Sequence, residues 1–431
     1  MRRPGNGFSP RRRRSGYRPR RPPGRYRTGG GVVDGSELLP VGRRVAYWRG
    51  RRKLSQQVFA DRLGRSKSWV DKIERGVRSL DKVSTLRDIA AVLRIDTAVL
   101  LGRDARPATT TARMEGVERI RAALSTYEMA LGRPATRPAV PAGRVVRDVG
   151  HAWVQFQYAR YPQVVDVLPG LLAGVQRISA DDHESNRPLL VDVYRLTAAL
   201  LVKLGEVDLG WLAADRAMAT GAGDPLLVAA ATVQLGQVFR ASGRPRAAVS
   251  ASLAAAYRIA LLGPDDGGPG ELSLCGTLLV QAALGAARRG DDRATADLLD
   301  EATGMAAQVG DGHDHHRTAF GPTAVDLART AAALDLGDAG EAVAWHEQAT
   351  RRDAWRWLPL EHRAAHLIDA ARAYLQADDP ANAGRVLADA DRMAPAEVRH
   401  RPAAGEVLAQ VARTPHAPAT IVTLAAALGV T

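Results

Sequence analysis

The sequence holds one cysteine, Cys275, among 431 residues, which excludes a disulfide framework and a cysteine-based zinc finger. Aromatic residues make up only 5%, and asparagine occurs three times, at Asn6, Asn186 and Asn382. No apolar run approaches the ~18–20 residues of a membrane span, and Leu226 to Ala231 stops far short. No hydrophobic stretch follows the arginine-rich start, so no secretory signal is read there and a cytoplasmic location is expected. Catalytic signatures are also missing. There is no Gly-x-Ser-x-Gly, no Gly-rich phosphate loop, and the serines fall in helix caps or alanine-rich helices. Asp265-Asp266-Gly267-Gly268 is followed by Pro, Gly and Leu where a calcium loop needs further oxygen ligands. The expectation is a protein that is not an enzyme, with no cofactor and no metal.

What is present begins with ample apolar material: 46% of the chain is hydrophobic, and at about 150 residues per domain its length suggests two or three domains. The net charge of +14 is unevenly spread. Residues 1–40 carry +9, residues 41–103 carry +10, and the remaining 328 residues carry −5. A basic head on a mildly acidic body suits a polyanion-binding module attached to something else, or a solvated basic tail. Only five of the 60 basic residues are lysine, a bias that fits GC-rich coding better than any chemistry.

Residues 1–39 are an arginine-rich, low-complexity stretch with almost nothing to bury, read as a disordered arm. Residues 40–102 read as five short helices. Val41 to Arg52 forms the first, with Val45 and Trp48 on one face. Ser55 caps a second that Gly64 ends, and Ser66 caps a third that Gly76 ends. Ser84 to Leu93 and Thr97 to Leu101 complete the set. A linker with one helix, Glu115 to Leu131, spans 103–145.

From 146 to 414 a helix, a short turn and a second helix recur. The turns include Ala159, Gly205, Gly243, Gly290, Gly337 and Asp378, at intervals of 46, 38, 47, 47 and 41 residues. Small residues early in the second helix (Ala213, Ala247, Ala342) allow paired helices to approach closely. The pattern resembles tetratricopeptide repeats with a longer period than usual, and six such hairpins imply a curved α-solenoid with a concave face. Residues 415–431 read as a C-terminal helix or tail. The fold class expected is all-α.

The segment Leu54 to Gly76 carries the chemistry. Two short helices crossing steeply need a small residue at the crossing (Ala60), a tight turn (Gly64) and inward apolar positions (Phe59, Leu63, Val70, Ile73). The segment resembles the helix-turn-helix of the Xre or lambda-repressor-like regulators. In that family the second helix of the motif enters the major groove by its N-terminal end. The resemblance implies that Lys67, Ser68 and Lys72 contact bases, with both lysines suited to guanine O6 and N7. Gln56 matches the family's phosphate-clamping glutamine at a helix N-terminus. Arg62, Arg75 and Arg78 flank the groove as phosphate contacts. Trp69 packs either on a thymine methyl or on the first helix. Asp71 and Glu74 read as solvated or paired with Arg75, and Arg43 and Arg44 as backbone contacts or solvated charges.

Asp311-Gly312-His313-Asp314-His315-His316 and the pair His362 and His366 are too isolated to read as zinc ligands. The segments Thr318 to Thr323, Trp153 to Pro169 and Leu358 to Tyr374 resemble actinobacterial regulators that join an Xre head to a tetratricopeptide-like body. The expected function is a sequence-specific transcription regulator, dimeric on double-stranded DNA and nucleoid-associated. Its repeat domain would hold a small-molecule, peptide or protein ligand, although three asparagines are few for a ladder along a peptide backbone. The alternative is a protein-interaction scaffold whose head tethers it to DNA without sequence preference.

Overall fold

The computed structural model describes residues 41–78, 80, 83–93, 95, 108–126, 141–176, 183–260, 267–415 and 417–430. The arginine-rich arm, the short helix expected over Thr97 to Leu101 and the Asp265-Asp266 loop lie outside them. Among the described residues all regular structure is helical. The chain divides into two compact units, Met1–Thr109 and Thr110–Thr431.

The first unit contains α1 (Val41–Arg51), α2 (Gln56–Arg62), α3 (Lys67–Glu74) and α4 (Val83–Leu93). Ser55 caps α2 by accepting from the Val58 amide at 3.2 Å, and Ser66 caps α3 by accepting from the Trp69 amide at 3.2 Å. Each cap satisfies a donor the helix cannot, worth about 1 kcal/mol. Gly64 and Gly76 then leave the helices at φ of 62° and 74°, where a Cβ would be strained. The core joins Val45, Phe59, Ala60, Val70 and Ile89. α1 lies so close to the end of α3 that a Cβ on Gly42 would stand 2.0 Å from the Ile73 carbonyl oxygen.

The second unit opens with α5 (Ala108–Leu124), so the stretch read as a linker turns helical earlier than Glu115. Six hairpins follow: α6 (Ala142–Gln157) with α7 (Tyr161–Gln176), α8 (His183–Lys203) with α9 (Val207–Gly221), and α10 (Pro225–Ala241) with α11 (Pro245–Ala260). The others are α12 (Pro269–Ala287) with α13 (Asp292–Val309), α14 (Pro322–Leu336) with α15 (Ala339–Arg351), and α16 (Leu360–Gln376) with α17 (Pro380–Met393). The chain ends in α18 (Pro395–His400), α19 (Pro402–Ala412) and α20 (Ala419–Leu428). In every hairpin the same turn position is left-handed: Ala159, Gly205, Gly243, Gly290, Gly337 and Asp378 all have φ between 53° and 88°. Four are glycine, for which this conformation costs nothing; the first and last hairpins hold Ala159 and Asp378 there. The first helix of each hairpin packs on the first helix of the next, giving a tetratricopeptide-like α-solenoid whose first helices form the inner layer. Ala213 and Ala342 are fully buried at the close approaches, but in the third hairpin that place belongs to Ala248, not Ala247.

α12 corrects the reading that no segment is long and apolar enough to span a membrane. It passes on length and composition, and 78% of its apolar window is buried within the solenoid. Cys275 lies on it, buried, and burial pushes its thiol up to about 11, away from thiolate chemistry.

The sixth hairpin returns to the first two: α16 touches α6. There the Lys203 ammonium meets Glu361 and, at 2.6 Å, Glu397, while the Tyr161 hydroxyl donates to Glu397. Arg113, on α5, donates to the carbonyls of Leu204 and His400 and spans the same junction. Burial would discharge Lys203, but Glu361 and Glu397 outweigh it and hold the ammonium above its ordinary value.

His346 and His366 share a hydrogen bond of 2.9 Å under Tyr374 and Trp355. Burial, with Arg385 adding to it, lowers His346 to about 4; burial, with His346 adding to it, lowers His366 to about 3. Both are neutral in the folded state, whereas the unfolded chain takes up protons below about pH 6.5. Stability is therefore complete above that pH and falls as the pH drops toward 4, by roughly 2 kcal/mol per histidine at pH 5. Urea unfolding followed by circular dichroism at pH 7 and pH 5 should show this loss, and replacing both histidines by phenylalanine should remove most of it. An equal loss in the double variant would exclude the pair as its source.

Candidate nucleic-acid interface

Within the first unit the outer face of α3 follows from its caps and its buried side. Val70 and Ile73 enter the core, so at about 100° per residue Lys67, Asp71, Arg75, Ser68 and Lys72 fall within an outward arc of about 140°. Lys67, Ser68, Lys72 and Arg75 are exposed, and Asp71 is half-exposed. The structure thus brings the three residues expected to contact bases onto one accessible face. Asp71 stands between the lysines on that face and pairs with Arg75 at 2.5 Å. That pair is one of the two alternatives the sequence offered for Asp71, and it leaves an acceptor within a row of donors.

Arg62, the last residue of α2, and Arg78, beyond the end of α3, are both exposed. Arg65, not singled out in the sequence, is exposed in the turn between the helices, with its guanidinium 5.5 Å from the Trp69 ring centroid. Trp69 itself is half-buried, packed against the core with part of its ring still exposed. Arg43 is exposed, but Arg44 is fully buried and is neither solvated nor available to a backbone.

Glu74 also departs from its expected exposure. Far from being solvated, it is 5% exposed and forms the centre of the unit's polar anchor. Arg49 on α1 grips it with two hydrogen bonds, Nε to Oε1 at 2.6 Å and Nη2 to Oε2 at 2.9 Å. The Gln56 amide at the start of α2 donates to Oε2 at 2.8 Å. Arg49 also donates to the Leu54 carbonyl at 2.7 Å, and Glu74 raises its guanidinium's proton affinity. One carboxylate therefore ties α1, α2 and α3 together, and Gln56 helps to hold it. The signal lay in the sequence: an acid one residue after the inward Ile73 falls on the edge of the buried face.

His313 and His315 stack at 5.5 Å, and no group of three or more possible metal ligands occurs among the described residues.

The helix-turn-helix domain family matches residues 40–101, which comprise α1 to α4 and the intervening turns. No curated protein matches the chain. Among solved structures, the crystal structure of Bacillus thuringiensis PlcR in complex with the peptide PapR7 and DNA is similar to 62% of this chain and 93% of that one. The identity is 14% and the TM-score 0.31, too loose a superposition to inform the site.

Removing the Glu74 carboxylate takes from the half-buried Arg49 its counter-charge and from Gln56 its acceptor, so Glu74→Ala should cost the first unit about 2 kcal/mol. Hydrogen exchange of the α1 to α3 amides measures this directly. Protection unchanged from the parent chain would show that Glu74 does not anchor the helices.

Proposed function

We propose that the chain is a sequence-specific DNA-binding transcription regulator of the lambda-repressor-like kind, and not an enzyme. Residues 40–102 form its DNA-reading head, 103–145 a connection, 146–414 a ligand- or partner-binding body and 415–431 a tail. The carrying observation is that Lys67, Ser68 and Lys72 share the exposed face of a capped helix whose opposite side is fixed in a core. Laid in the major groove, that face offers two ammonium donors for guanine O6 and N7 and a hydroxyl suited to base or phosphate. Asp71 between them can accept from a cytosine N4 amine, which would favour a G·C-containing half-site. Gln56, Arg62, Arg75 and Arg78 surround the helix as phosphate contacts, and Arg65 joins them. Of these, Arg75 exchanges Asp71 for phosphate on binding, and Gln56 keeps one amide hydrogen on Glu74. One such module buries too little surface for useful specificity, so two heads act together on a pseudo-palindromic site.

Binding measured by fluorescence anisotropy against selected operator and scrambled duplexes tests the assignment. Lys67→Ala and Lys72→Ala should each remove about 1–3 kcal/mol of discrimination while leaving binding to scrambled DNA largely intact. Arg62→Ala should weaken both duplexes alike and reduce the slope of log Kobs against log salt by about 1. A parent chain that binds both duplexes equally would favour the non-specific tether.

A further inference from the structure

The inner layer of the solenoid lines an open cavity of about 280 Å³. Its walls come from the first helices of the third to sixth hairpins (α10, α12, α14 and α16), with the loop ahead of α14 and Arg401 completing them. The volume falls just short of the ~300–1,000 Å³ of small-molecule sites, which suits a small ligand.

The lining is unbalanced in charge. Three guanidinium groups, Arg240, Arg317 and Arg401, face one carboxylate, Asp369. Asp369 already pairs with Arg372 at 3.7 Å, while Arg317 has Asp314 outside the cavity lining at 3.6 Å. Arg240 has no ion-pair partner among the described residues. Its Nη2 donates to the Gln281 side chain at 2.7 Å, and its Nε is buried without an acceptor. Arg401 pairs with Glu397 at 3.7 Å, and against the effect of burial Glu397 and Asp369 hold its guanidinium above its ordinary value, but its Nη1 makes no hydrogen bond. Burial, with Arg288 adding to it and Asp335 and Asp369 only partly opposing it, lowers Arg240 to about 10. Arg240 and Arg401, both half-buried, thus each bring one buried, unanswered N–H to the same cavity, and an anion seated there would supply the acceptors.

The opposite wall is apolar: Val280, Leu284, Phe320 and Leu327. Phe320 is locked in place, since a Cβ on Gly276 would stand 2.1 Å from its ring. The loop that delivers Arg317 and Phe320 carries three consecutive or near-consecutive non-glycine residues at positive φ, His316 (52°), Arg317 (61°) and Ala319 (47°). Such strain persists only where surrounding contacts enforce it, here the Arg195 guanidinium donating to the His316 carbonyl at 2.7 Å.

A peptide backbone needs several free amides in a row. The cavity has no asparagine, and two of its three glutamines are committed, Gln234 to Arg195 and Gln281 to Arg240. We propose that this cavity is an effector site for a small organic anion, an apolar body bearing one carboxylate, seated against Arg240, Arg317 and Arg401. The proposal rests on the reading of the solenoid as the ligand-binding part of a DNA-binding regulator.

Calorimetric titration of the full chain, without DNA, with octanoate and indole-3-acetate and with their primary amides provides the test. The carboxylates should bind, and the amides should bind at least about tenfold more weakly. Arg240→Gln should weaken carboxylate binding about tenfold without lowering the thermal midpoint, and Arg317→Gln, on the loop, is the second variant should the first fail to fold. Equal affinity of acids and amides, absence of binding by either acid, or unchanged carboxylate affinity in the variants would overturn the proposal. So would saturable binding of C-terminally amidated peptides that octanoate does not displace. Operator binding measured on the same samples separates the two readings: a chain that discriminates DNA sequences but ignores the acids loses only this inference.

Discussion

A carboxylate withdrawn from water has to meet its counter-charge where it is buried, because a single unpaired ion costs several kcal/mol. Glu74 places the first unit under that constraint. Its two oxygens receive Arg49 from α1 and Gln56 from α2 while its own backbone ends α3, so the three helices share one fixed point. A purely apolar contact would tolerate sliding. A bidentate guanidinium–carboxylate pair does not, and Gly42 adds a backbone-to-backbone contact that admits no side chain. The outward angle of α3, on which any reading of base edges depends, is set by these contacts rather than by the exposed residues themselves.

The solenoid obeys the same constraint at its closure. Repeat proteins are held by neighbour-to-neighbour packing, and their ends need share nothing. Here the ends meet through Lys203, Glu361, Glu397 and Tyr161, contributed by the second, sixth and first hairpins and by α18. Because removing any one charge strands the others, the closure is cooperative in a way that the alanine-rich helix contacts are not.

How much of this the sequence revealed depends on the range of the interaction. Ser55, Ser66, Gly64 and Gly76 act within four residues of themselves, and each does locally what its type suggests. The six turns were legible for the same reason: four glycines mark a left-handed position, and the neighbouring spacing leads to Ala159 and Asp378 where glycine is absent. Ala247 and Ala248 show the limit, since alanine propensity cannot say which of two adjacent alanines faces the partner helix. Glu74 and Arg44 were misjudged because charge predicts exposure on average, and only partners such as Arg49, 25 residues away, reverse that expectation. The cavity was invisible for a stronger version of the same reason. Its guanidinium groups lie at positions 240, 317 and 401, and no local pattern joins them.

Arg401 connects the closure and the cavity. It lines the cavity while lying 3.7 Å from Glu397, whose other oxygen holds Lys203 and Tyr161. An anion in the cavity and the Glu397 carboxylate therefore draw on one guanidinium, and what one gains the other loses. Linkage makes the relation reciprocal: if anion binding loosens the junction of the first and sixth hairpins, tightening that junction must weaken the anion by the same factor. The shift is limited by the difference in the anion's affinity for the two arrangements, and Lys203 keeps Glu397 neutralised in both. The geometry thus favours a graded change in how firmly the first and sixth hairpins meet, and would place any signal from the effector at the α16–α18 end of the body.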